Sequence, residues 1–190
     1  GGAIAFDDDK MLERLTLLRL HGMTKTGADR FRDGYSHWDM TMLGWKYNMS
    51  NIEAALLLPQ FERIDENLDK RRALAARYNS ALANIPNLRL PAVHRDTEHA
   101  WHVFTVWLDG VERDTVLAHL KSARIGAVVN YRAIHLMTYF QENFGYQRGV
   151  YPNAERIGDT TISLPFYPNM PHEHVDVVAS ELQIALSRKA

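Results

Sequence analysis

The sequence predicts an α/β fold, and three observations carry it. From Trp101 onward, segments of strand character alternate with amphipathic helical segments, the pattern that layers helices on a sheet. Before that, Ile52, Leu56, Phe61, Ile64, Leu68, Ala75, Tyr78 and Leu82 recur near a 3.6-residue period, the mark of a long helix. The 190 residues are 46% hydrophobic and 24% charged, enough for one or two domains with a sizeable core.

Taken in order, Ala3 to Phe6 reads as a short apolar strand. It starts abruptly and without Met, which points to a larger protein cut at Gly1, with another chain or a preceding half covering the strand's edge. Asp7-Asp8-Asp9 supplies a cap for a helix whose apolar face is Leu12, Leu15 and Leu18, and His21-Gly22 stops it. Residues 23–44 form a long polar stretch, but Phe31, Tyr35 and Trp38 argue for an ordered loop packed on something. Ser50 or Asn51 then caps one long helix over 51–84, with Pro59 as the place of a kink and Pro86-Asn87 as its end. A helix of roughly 30 residues spans about 45 Å, long enough to link two domains.

The remainder, residues 87–190, reads as a second compact domain. Trp101 to Leu108 is a strand, Asp109-Gly110 a turn and Arg113 to Ala123 a helix with Val116, Leu117 and Leu120 inside. Ala127 to Tyr131 and Thr161 to Leu164 are further strands, with a short helix and loop around Tyr139-Phe140 and Phe144. Pro171 to Ser187 closes the chain as a helix, with Pro171 where a missing N–H costs nothing. The expected organisation is therefore residues 1–50, a linking helix over 51–86, and residues 87–190.

Composition excludes several function classes. A net charge of −1 gives no basic face for nucleic acid, and no apolar run reaches 18 residues, so no membrane span is expected. The first residues lack a secretory signal, and with no cysteine there are no disulfides or thiolate metal sites; the cytoplasm is the expected compartment. Nine histidines invite a metal, but His99/His102 and His172/His174 lack a third ligand at useful spacing, so no metal is expected.

Two stretches carry candidate chemistry. Lys46-Tyr47-Asn48 places an amine, a phenol and an amide before a capped helix, where free N–H groups and the helix dipole favour an anion. The same residues also read simply as a capped helix start. Tyr131-Arg132-Ala133-Ile134-His135 follows an apparent strand at its carboxyl end, where ligand sites gather in α/β folds. It reads either as the wall of a site for a phosphorylated or hydroxylated ligand or as a loop with an ordinary ion pair.

These stretches do not stand alone. Leu43 to Gln60, with Phe61 to Asp65 and Arg71 to Tyr78, resembles the DegT/DnrJ/EryC1/StrS family. So, in order, do Gly1-Gly2-Ala3-Ile4, Leu17 to Met23, Ala100 to Phe104, Tyr131 to His135 and Leu164 to Met170. The Lys46-Tyr47-Asn48 form is similar to the branch that makes 4-amino-4-deoxy-L-arabinose on a uridine nucleotide for lipid A, although Asn130 stands where that branch has His.

The resemblance implies a type I aminotransferase fold that uses pyridoxal 5'-phosphate to move an amino group from glutamate to a nucleotide-linked keto sugar. This chain would supply the end of the large domain, a long linking helix and the small C-terminal domain. It implies a homodimer with sites at the subunit interface. It also implies that the Schiff-base lysine precedes Gly1, in a missing N-terminal half or a companion chain, so that no catalytic residue is expected here and the chain alone is expected to be inactive. Asn48, then Lys46, would contact the cofactor phosphate in the neighbouring subunit. His21, Tyr131 and His135 would surround the sugar nucleotide, with Arg30 and Trp38 in a covering loop. Two other classes remain: a relative that uses the cofactor to dehydrate the sugar, and a noncatalytic sugar-nucleotide-binding module.

Overall fold

The computed structural model describes residues 3–187, apart from the side chains of Arg30, Phe31 and Asp33. The chain divides into two compact units at the step from Glu62 to Arg63. The matched Gly1-Gly2 pair lies outside the described residues.

In the first unit, residues 3–6 form no strand. Ile4 is 72% exposed, and a strand needs a ladder partner, which these residues lack among those described. Helix α1 (Asp9–Leu18) follows, capped by Asp8, whose carboxylate accepts from Lys10 N at 2.9 Å. The polar stretch after it contains helix α2 (Gly27–Asp33), which periodicity alone did not reveal. Its loop is closed at the base: Thr24 N donates to Asp39 O at 2.9 Å and Asp39 N to Thr24 Oγ1 at 3.0 Å. Helix α3 (Asn51–Phe61) ends the unit.

The expected single helix over 51–84 is two helices. Helix α4 (Ile64–Leu82) begins after a turn at Glu62–Arg63. Pro59 explains why the break comes here: it lacks the N–H that would reach the Ala55 carbonyl, and its ring crowds that turn, so α3 stops two residues later.

The second unit holds the core. Strands β1 (Leu88–Arg89), β2 (Phe104–Leu108) and β3 (Thr161–Leu164) form an antiparallel sheet in that order, with Leu88 opposite Leu108 and Phe104 opposite Leu164. Phe104, Val106 and Leu108 alternate inward along β2, as a pleated strand with one buried face requires. Helix α5 (Arg113–Ser122) and α4 both pack on helix α8 (His172–Ser187), burying Leu74, Tyr78, Leu82, Val116, Leu120, Val178 and Leu182. At the centre the Tyr78 ring stacks on Phe104 at 4.8 Å, and its hydroxyl donates to Pro165 O at 2.9 Å.

The expected strand over Ala127–Tyr131 shrinks to one bridge, Val128 to Ser163. Beyond it the chain turns away, because Ala133 packs against helix α7 (Pro152–Thr160), which also went unforeseen. Helix α6 (Thr138–Phe144) occupies the expected short helical stretch.

Candidate functional site

In the first unit the backbone after α1 runs antiparallel to the segment before α3. Trp45 N donates to Leu18 O at 2.7 Å, His21 N to Trp45 O at 2.9 Å and Tyr47 N to Arg19 O at 2.9 Å. Two glycines permit this approach. Gly22 has φ +73°, a conformation that costs other residues but not glycine. A Cβ on Gly44 would lie 2.7 Å from His21 C and 2.9 Å from Leu18 O, so the two segments meet only without one.

The segment from Trp45 to Asn48 borders two clefts. Lys46 and Asn48 line a cleft of 890 Å³ together with Arg19, His21, Lys25 and Arg32. Trp45 and Tyr47, stacked at 6.0 Å, line an adjoining and more apolar cleft with Ile4, Phe6, Leu12 and Leu15, and Arg19, Lys46 and Asn48 border both clefts. The first cleft carries four cationic side chains, and among the described residues no carboxylate lines it. Such a concentration of one sign attracts anions.

The nearby carboxylates close helix starts, and one of them pairs with the cleft's own Arg32. Asp29 accepts from Thr26 N at 2.7 Å and Thr26 Oγ1 at 2.8 Å, and pairs with Arg32 at 3.0 Å. Those Thr26 hydrogen bonds, and then the Arg32 charge, hold its carboxyl below the usual range. Glu53 closes the start of α3: Ser50 N donates to it at 3.0 Å, while Glu53 N donates to Ser50 Oγ at 3.2 Å. Ser50 is thus the cap, and Asn51 is left to line the cleft.

In the second unit Tyr131 and His135 line a cleft of 500 Å³ with Ile134, Phe140, Tyr146, Tyr151 and Ile157. Tyr131 is 70% exposed, whereas His135 is 6% exposed with Nε2 2.9 Å from Glu155 Oε1. The same oxygen accepts from Gly149 N at 2.7 Å and Tyr151 N at 3.3 Å. Burial raises the Glu155 pKa, but the His135 hydrogen bond and the two backbone donors outweigh it, and the carboxyl sits below its ordinary value. One turn further along α7, a Cβ on Gly158 would lie 2.7 Å from Ala133 N, so glycine is what lets the Tyr131–His135 segment seat on the helix.

The structure therefore brings His21, Lys46 and Asn48 together in one unit, and Tyr131 and His135 together in the other. Trp38 is 47% exposed and is not part of either first-unit cleft. The Arg30 side chain lies outside those described. Arg19, Lys25, Arg32 and Glu155 escaped the sequence reading. Arg19 lies in the matched Leu17–Met23 block, next to Leu20, which bridges to Lys46; Glu155 lies 20 residues from His135 and had no signal. Among the described residues no cluster of three or more His, Asp or Glu is placed to hold a metal.

Comparison with known proteins covers the whole span of these blocks. The profile of the DegT/DnrJ/EryC1/StrS aminotransferase family matches residues 1–183. The spore coat polysaccharide biosynthesis protein SpsC of Bacillus subtilis (strain 168) is 36% identical over 184 residues, which are 94% of this chain and 47% of that protein. The sugar aminotransferase Spr1654 of Streptococcus pneumoniae, solved in its PMP form, superposes with a TM-score of 0.84 at 27% identity, over 96% of this chain and 46% of that one. Helicobacter pylori PseC, an aminotransferase of pseudoaminic acid biosynthesis, shares the fold at a TM-score of 0.81 and 21% identity, over 96% and 47% of the two chains. The chain spans about half the length of the curated relatives it matches. The expected fold, part of the type I architecture of pyridoxal-phosphate aminotransferases, is the one these structures share. With the profile spanning nearly every residue, the chain belongs to the DegT/DnrJ/EryC1/StrS aminotransferase family, whose aminotransferases depend on pyridoxal phosphate.

Proposed function

We propose that these residues form the C-terminal portion of an enzyme that moves an amino group from glutamate to a nucleotide-linked keto sugar for cell-surface polysaccharide, acting as a cytoplasmic homodimer. The observation that carries the reading is the cationic cleft where His21, Lys46 and Asn48 converge. Its donor set, an ammonium and an amide flanked by Arg19 and Lys25, fits the phosphate end of pyridoxal phosphate. When bound, that cofactor supplies the electron sink that lets the amino group move.

The chain's own residues hold and orient. Asn48 and Lys46 grip the cofactor phosphate of a neighbouring subunit. In the first unit His21, Arg30 and Trp38 are the candidates for the sugar nucleotide; in the second they are Tyr131 and His135. The first unit reads as the end of the large domain and the second as the small domain. Exposed apolar residues on every side of α3, among them Ile52 at 77%, Leu58 at 67% and Phe61 at 69%, support a covering partner, because a helix apolar all round is a buried one. The narrower lipid A branch has the Lys46-Tyr47-Asn48 form as its support.

The reactive lysine of the family belongs, on this reading, to a segment outside these residues. The test is single-turnover amine transfer from glutamate to a nucleotide-linked 4-keto sugar, by the protein carrying this chain and by the 190 residues alone. Product amine from the former only is the expected result. Loss of a sugar hydroxyl without amine incorporation would assign the dehydratase chemistry instead.

A further inference from the structure

His135 lies between two tyrosine rings, with the Tyr151 centroid at 4.9 Å and the Tyr146 centroid at 6.4 Å, both edge-on. Its Nε2 meets Glu155 Oε1 at 2.9 Å. An ionised carboxylate only accepts hydrogen bonds, so Nε2 carries the proton. In the neutral ring Nδ1 is then an acceptor. Nδ1 has no hydrogen-bond partner among the described residues. It is not sealed off either, since Arg71 Nε is the one fully enclosed side-chain polar atom without a partner among them. His135 is at the same time a wall residue of the aromatic cleft.

We propose that Glu155 is a positioning residue: it fixes His135 with the proton on Nε2, so that Nδ1 offers an acceptor to a hydroxyl of the sugar in this cleft. The proposal rests on the sugar-nucleotide reading given above. It also selects among ligand parts. A hydroxyl can donate to Nδ1, whereas a phosphate oxygen only accepts and is turned away. The tyrosine-lined walls suit the apolar face of a sugar ring better than a diphosphate. Glu155 ties this geometry to the neighbouring turn as well, since one oxygen serves His135, Gly149 and Tyr151.

The test has two arms, both on the protein carrying this chain. Imidazole ¹⁵N NMR, with the His135 signals assigned from an H135Q variant, is expected to show a protonated Nε2 and a bare Nδ1. A proton on Nδ1 in the wild type overturns the proposal. Calorimetry then compares UDP with UDP-glucose for wild type, E155Q and E155M. E155Q keeps Oε1 and should match wild type. E155M removes the acceptor; it should raise the Nδ1–H population and weaken UDP-glucose roughly fivefold to tenfold, the share of one hydrogen bond, with UDP within about twofold. Equal loss for both ligands, or loss for neither, overturns the proposal. If wild type binds neither ligand, the sugar-nucleotide reading and the acceptor role fall together, while a bare Nδ1 in the NMR arm still upholds the positioning by Glu155.

Discussion

Gly22 and Gly44 stand backbone to backbone: a Cβ on Gly44 would press on Gly22 N and come within 2.7 Å of His21 C. This contact lets the His21 segment and the Lys46 segment share one cleft. G44A is expected to destabilise the first unit by about 1–3 kcal/mol, the usual cost of overpacking. G22A adds the left-handed strain of φ +73°. Hydrogen exchange of the Trp45 and Tyr47 amides is the direct readout, and wild-type protection in G44A would refute the geometric argument.

Lys46 and Asn48 line the same cationic wall. In the protein carrying this chain, K46A should weaken pyridoxal phosphate by about 1.5–3 kcal/mol, the range for a hydrogen bond to a charged group. N48A should cost about 0.5–1.5 kcal/mol, as for a neutral donor. Absorbance titration of the cofactor measures both. Unchanged affinity in both variants would move the phosphate site elsewhere.

The Glu155 network sets a pH limit on its loop. Its carboxyl is depressed in the folded state through the His135, Gly149 and Tyr151 hydrogen bonds, which more than offset burial. The sign follows: the stabilisation is fully present above the unfolded value, about 4.3, and is lost as pH falls through the lower folded value. Amide exchange at Gly149 and Tyr151 should accelerate below that point in wild type. E155Q should remove this step.

Phe104 is fully buried and stacks on Tyr78 at 4.8 Å and Phe166 at 5.9 Å. F104A should cost about 3–5 kcal/mol in the second unit, from lost transfer energy and the cavity left behind. Urea unfolding followed by Trp101 and Trp107 fluorescence tests it. A cost below about 1 kcal/mol would place the core elsewhere.

The sequence by itself determined the helices and strands whose apolar periodicity is read locally, and the ordered blocks that place the chain in its family. Arg113–Ser122 and His172–Ser187 were legible because their buried positions repeat at helical spacing, and Thr161–Leu164 because a short run stopped by Pro165 reads as a buried strand. Lys46 and Asn48 were legible as candidates because a cap and a polar turn are local features. Tertiary structure decided what depends on distant partners. It reduced Ala127–Tyr131 to one bridge, because a strand exists only where a second chain segment pairs with it. It split the long helix where Pro59 removes a backbone donor. It brought Arg19 and Lys46 to one cleft across a glycine contact, and gave His135 its carboxylate from 20 residues away. Periodicity records which face of an element is buried; the partner that covers it is chosen by the fold.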